Sequence, residues 1–172
     1  MPRLFFGLAP DTSTRAALTQ WACDVAIETN GRPTPAANLH LTLAFLGDRP
    51  PAMLPRLEHA AARVRGAAFV LTLDRMGAWR KSGIAWAGAS AVPPGLVELQ
   101  AGLAAELSAI GVVLEERPFA AHVTLARRAS AGHARPMTPP LHWPVGDFAL
   151  FVSEPSRGGV AYRTLASWLL DA

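Results

Sequence analysis

His122-Val123-Thr124-Leu125-Ala126 says again, late in the chain, what His40-Leu41-Thr42-Leu43-Ala44 has already said. The sequence holds five histidines, and only these two are followed two residues later by threonine. Ten of the 172 residues are threonine, so a given histidine meets one at that offset by accident roughly once in seventeen trials. Two hits that both continue Leu-Ala are an internal repeat, the feature to seek before any local assignment.

The spacing has a physical meaning. Leu39, Leu41, Leu43 and Phe45 alternate with His40, Thr42, Ala44 and Leu46, which predicts a strand. Successive side chains of a strand point to opposite faces, so His40 and Thr42 share one face while the leucines bury the other. His122 and Thr124 stand in the same relation to Val123 and Leu125. A single His-x-Thr reads as an ordinary sheet residue with a hydrogen-bonded ring. Two of them can flank a shared cleft with two imidazoles and two hydroxyls. Imidazoles suit a reaction in which one proton is removed and another delivered; hydroxyls suit an anion held between them.

Working outward, Arg3 to Leu8 is an apolar strand, and Asp11, Thr12 and Ser13 offer caps to a helix carrying Leu18, Trp21, Ala22 and Val25. Cys23 falls in that helix and is expected to be packed and inert. After the loop at Asn30-Gly31 comes the first His-x-Thr strand. Pro50-Pro51 then open a second helix with Leu54, Leu57, Ala61 and Val64 inward and His59 outward. Phe69 to Leu73 and Ile84 to Ala87 form a strand pair. Trp79-Arg80-Lys81-Ser82-Gly83 between them reads as a solvated tip rather than a nucleotide contact. Pro93-Pro94 start a third helix with Leu96, Leu99, Leu103, Leu107 and Ile110 inward, stopped by Gly111. The second His-x-Thr strand follows. A Pro-rich loop is expected from Ala129 to Pro144, with His133 and His142 in solvated or structural roles. Phe148 to Val152 and Val160 to Leu170 close the chain as a hairpin. Residues 1–172 are therefore expected to form one domain of two related lobes.

Composition narrows the function. Hydrophobic residues are 51% and charged residues 17%, which excludes a disordered chain. A net charge of +3 suits an anionic ligand but would not by itself hold a long nucleic acid. One cysteine allows no internal disulfide, and no apolar run approaches a membrane span, so a cytoplasmic protein is expected. No phosphate-binding glycine loop, dinucleotide fingerprint or Gly-x-Ser-x-Gly elbow is present. No Cys/His or carboxylate motif has metal-ligand spacing. The expected chemistry uses neither metal nor cofactor.

Asn38-Leu-His-Leu-Thr-Leu-Ala-Phe-Leu-Gly47 and Phe119-Ala-Ala-His-Val-Thr-Leu-Ala-Arg127 together resemble the paired motifs of the two-histidine phosphoesterases. Within them the chain is most similar to the RNA 2',3'-cyclic phosphodiesterases, the LigT-like family once called 2'-5' RNA ligases. Arg3-Leu-Phe-Phe-Gly-Leu, Leu150-Phe-Val-Ser153 and Tyr162 extend the resemblance over nearly the whole chain. It departs at Ala121, where the family usually has proline, and at Pro35-Ala36-Ala37, where an aromatic and an acid are common. The resemblance implies an α+β fold: two pseudo-symmetric lobes of antiparallel sheet, helices outside and the active-site groove between the lobes. It implies catalysis by His40 as proton donor and His122 as acceptor, with Thr42 and Thr124 on the phosphate oxygens. The family motif also matches Arg127 as a phosphate contact. Strict alternation would instead put Arg128 on the face of His122, unless the strand ends or bulges after Ala126.

The implied reaction is metal-independent hydrolysis of a terminal 2',3'-cyclic phosphate on RNA to a 2'-phosphomonoester. Alternatives are the reverse 2'-5' ligation, or a non-catalytic module that binds RNA ends or nucleotides. RNA ends or cyclic-phosphate oligonucleotides are the expected partners, with no membrane and no protein partner, and a monomer is expected.

Overall fold

The computed structural model describes residues 1–115, 118–130 and 134–172. In chain order the elements are β1 (Arg3–Leu8), α1 (Thr12–Thr29), β2 (Arg32–Pro33), β3 (Leu41–Asp48), α2 (Leu54–Arg63), β4 (Phe69–Trp79) and β5 (Ile84–Gly88). After these come α3 (Pro94–Ala109), β6 (His122–Arg127), β7 (Arg135–Val145), β8 (Asp147–Ser156) and β9 (Gly159–Leu169). The helices start where local chemistry directs. The Asp11 carboxylate accepts from Thr14 N at 2.7 Å and caps α1, while Pro94 takes the first turn of α3, where its missing N–H costs nothing.

Among the described residues, all nine strands belong to one antiparallel sheet in the order β7-β4-β5-β6-β3-β1-β8-β9, with β2 paired to β6. At its middle the ladder between β3 and β6 has a single residue pair, Leu41 opposite Val123. Apart from β2, the sheet therefore divides into two four-stranded halves, and each half ends inward on one copy of the repeated motif. The run β1–α1–β3 recurs as β5–α3–β6, each time with the two strands antiparallel neighbours. These are the two pseudo-symmetric lobes of the expected α+β fold. The helices then cross over: α1 covers β6 of the other half, and α3 reaches β3 as well as β4. Leu18, Ala22 and Val25 of α1 and Leu96, Leu99, Leu103 and Leu107 of α3 enter one continuous core with Leu41 and Val123. Each lobe thus buries its neighbour's motif strand, which ties the halves together and leaves the opposite face of β3 and β6 free.

Three expectations are corrected. The stretch expected as a Pro-rich loop from Ala129 to Pro144 contains β7, paired to β4 from Phe69 opposite Val145 to Met76 opposite Arg135. Proline lacks an N–H for a central ladder, but β7 is an edge strand and needs only one ladder. β4 itself runs to Trp79, because Asp74, whose carboxylate binds the Ser90 N–H and hydroxyl, interrupts the apolar pattern without ending the strand. Cys23 is exposed on α1, not packed. His59 is exposed, as expected. His142 lies exposed on β7 with its Nδ1 3.1 Å from Thr72 Oγ1. His133 lies outside the described residues.

Gly7 allows the sheet to close beside the motif. It pairs with Thr42, and a Cβ there would sit 2.7 Å from the Leu41 carbonyl oxygen. That neighbour is backbone and cannot swing aside. Gly7→Ala should therefore destabilise the fold by about 1–3 kcal/mol and displace the His40–Thr42 segment with it. A denaturant midpoint equal to the parent's would show that the strand tolerates the methyl.

Candidate active site

The Leu41–Val123 pair fixes the geometry of the candidate site. Both residues are fully buried, so their chain neighbours face the groove. One residue either side of an antiparallel pair, the register sets His40 toward Thr124 and Thr42 toward His122. The two imidazoles and two hydroxyls form a diagonal set about the pseudo-twofold. His122 is the first residue of β6, whereas His40, expected within the strand from alternation, stands one step before β3.

Both rings are held in the same way. His40 Nδ1 lies 2.7 Å from the Asn38 carbonyl, and His122 Nδ1 lies 2.7 Å from the Ala120 carbonyl. A carbonyl only accepts, so each Nδ1 donates its proton and the neutral tautomer leaves Nε2 bare. The Thr42 hydroxyl donates to His40 Nε2 at 3.0 Å. Asn38 is buried, and its side chain is tied to β9 by Nδ2 to the Val160 carbonyl at 2.6 Å and by the Tyr162 N–H to Oδ1 at 3.1 Å. The turn carrying His40 is thereby pinned to the far strand of its lobe.

The same distortion follows both motifs. Opposite Leu43 the β1–β3 register slips between Phe6 and Gly7, and opposite Leu125 the β5–β6 register slips between Ala85 and Trp86. Each bulge inserts one residue and reverses the alternation beyond it. Leu43-Ala44 and Leu125-Ala126 are accordingly buried in succession, and the next side chain in each copy is exposed. Those side chains are Phe45 and Arg127. The bulge thus settles which arginine faces the histidines: Arg127 stands on their face and its charge is felt by both rings. Arg128, next in the chain, has a left-handed backbone at φ 54°.

Aromatic packing sets the electrostatics. Phe5 lies 4.7 Å from the His40 ring, Tyr162 meets it edge-on at 5.0 Å, and Phe151 stacks on Phe5. Trp79 meets His122 edge-on at 4.6 Å. Burial among these rings lowers the His40 pKa from 6.5 to about 4; the Asn38 carbonyl opposes the shift, and the charges of His122 and Arg127 add to it. His122 is also lowered, first by burial and then by Arg127, against the pull of the Ala120 carbonyl.

A cleft of about 470 Å³ opens beside the motifs, with Thr42, Phe45, Trp79, Ser82, Gln100, Phe119 and His122 among its lining residues. The hairpin tip expected to be merely solvated therefore contributes Trp79 and Ser82 to the site, while Arg80 and Lys81 are exposed. Asn38, Phe5, Phe151 and Gln100 were invisible as site residues in the sequence, since their spacing marks only strand and helix faces. Among the described residues no group of three His, Cys, Asp or Glu side chains is placed to hold a metal ion, and no helix is long and apolar enough to cross a membrane.

Comparison with known proteins covers the whole of this architecture. The family model described as LigT like Phosphoesterase matches residues 8–86 and 88–162. The RNA 2',3'-cyclic phosphodiesterase of Escherichia coli K12 is 36% identical over 98% of this chain and 96% of its own length. The protein of that name from Thermus thermophilus is also 36% identical, over 98% of this chain and 90% of its own. The crystal structure of E. coli LigT complexed with 3'-AMP superposes with a TM-score of 0.91 at 36% identity, covering 100% of both chains.

Proposed function

This chain belongs to the LigT-like phosphoesterases, and from that premise we propose that it hydrolyses the terminal 2',3'-cyclic phosphate of RNA to a 2'-phosphomonoester. The diagonal His/Thr set at the Leu41–Val123 pair carries the reading. One imidazole takes a proton from a water whose oxygen attacks phosphorus. As the bond from phosphorus to the 3'-oxygen breaks on the opposite side, the other imidazole delivers a proton to that oxygen. Acid and base must lie on opposite sides of phosphorus, which two strands meeting at a pseudo-twofold supply. His40 is taken as the acid and His122 as the base. Thr42, Thr124 and the Arg127 guanidinium hold the phosphoryl oxygens, where negative charge accumulates.

With a 5'-hydroxyl in place of water, the same set would form the bond from that oxygen to phosphorus as the bond to the 3'-oxygen breaks and is protonated, leaving a 2'-5' linkage, the 2'-5' ligation. A purely binding module is disfavoured because holding a phosphate without turnover would be better served by arginines than by two imidazoles. Residues 1–172 act as one bilobal unit in this reading, a cytoplasmic monomer working on RNA ends without a protein partner. The crossed helices support the single unit, and a lone exposed thiol fits a reducing compartment.

A dinucleotide ending in a 2',3'-cyclic phosphate tests the proposal directly. In the presence of excess chelator it should be opened to the 2'-phosphate at an undiminished rate. Absence of turnover, a 3'-phosphate product, or activity that returns only with a divalent ion would each sink it.

A further inference from the structure

The repeat is symmetric in its histidines, threonines and bulges but not in the side chain that follows: Phe45 in one lobe, Arg127 in the other. Because β3 and β6 run antiparallel from the Leu41–Val123 pair, Phe45 and Arg127 stand at opposite ends of the groove. Phe45 and Trp79 remain 39% and 38% exposed, and both line the cleft whose inner wall includes Thr42 and His122. The guanidinium of Arg3 covers one face of Phe45 at 5.1 Å. Gln100, on α3, lines the same cleft half-buried, with no hydrogen-bond partner for its amide among the described residues.

We propose that this cleft seats the nucleobase of the ribose bearing the cyclic phosphate, and that Gln100 reads the edge of that base. The inference rests on the function proposed above and adds its specificity. Unstacked bases are held by aromatic side chains and distinguished by hydrogen bonds along their edges. A carboxamide offers one acceptor and two donor hydrogens, matching the adjoining donor and acceptor of a base edge. The cleft volume of about 470 Å³ admits a purine beside its aromatic walls. Arg127, at the other end, is left for the phosphate.

The test compares kcat/KM for four dinucleotides ending in adenosine, guanosine, cytidine or uridine 2',3'-cyclic phosphate. Gln100→Leu should narrow the spread among the four. Gln100→Glu presents acceptors only, so it should shift preference toward guanine, whose N1–H and N2–H both donate, by about tenfold relative to adenine. Phe45→Ala should raise KM for all four by roughly tenfold, since stacking tolerates any base. Loss by one common factor across the bases in both Gln100 variants, or no change in either, would overturn the inference. A parent protein that opens none of the four substrates would overturn the proposed function, and this assignment with it.

Discussion

His40→Ala and His122→Ala should each lower turnover of a cyclic-phosphate end by about 10²- to 10⁴-fold, and they should part on a substrate whose 3'-oxygen is sulfur. A thiolate leaves without a proton, so the variant lacking the acid regains much of its rate while the variant lacking the base stays impaired. Rescue is expected at His40→Ala. Rescue at His122→Ala instead would reverse the roles, and full activity of both variants on the natural substrate would move the site elsewhere. The pH behaviour adds a second reading. In the free protein both rings titrate below 6.5, His40 near 4. The profile of kcat/KM should therefore be a bell centred on the acid side of 6.5. A bound phosphate anion favours the imidazolium, so the kcat profile should lie at higher pH. Because the bell belongs to the pair, it cannot assign the roles, which is why the sulfur substrate is needed. The same shift bears on stability. Above 6.5 His40 is neutral whether folded or unfolded. As pH falls from 6.5 toward 4 only the unfolded chain takes up the proton, so stability should decline through that window. His40→Asn should flatten the decline.

Thr42→Ala and Thr124→Ala should each cost about 3 kcal/mol of transition-state stabilisation, the value of one lost oxyanion donor. Serine at either position keeps the hydroxyl and should recover most of that loss in kcat. The two positions should differ in one respect. The Thr42 hydroxyl also donates to His40 Nε2 in the resting site, so Thr42→Ala should in addition change the His40 titration, observable by NMR of the ring. If serine and alanine prove equally harmful and stability falls in parallel, the methyl matters for strand packing and the hydroxyl does not hold phosphate.

Several features are legible in the sequence. The two motifs, the apolar stripes of α1 and α3 and the closing hairpin β8–β9 all follow from short-range periodicity. β7 was not legible: Pro136, Pro139, Pro140 and Pro144 look like a loop until its place at the sheet edge is known. Trp79 reads as part of a turn in the sequence, but β4 continues past Asp74 and Arg75 and brings it against His122.

The sequence by itself determined that two His-x-Thr strands exist and that each puts an imidazole and a hydroxyl on one face, because alternation depends only on neighbouring residues. Only the tertiary structure decided that Leu41 meets Val123, setting the histidines and threonines on a diagonal. It also decided that Arg127 rather than Arg128 faces them, and that aromatic rings desolvate both imidazoles. A bulge is defined by register against a partner strand, and desolvation by side chains distant in the chain. Neither is encoded in any short stretch, and both arise when β1, β3, β5 and β6 assemble side by side.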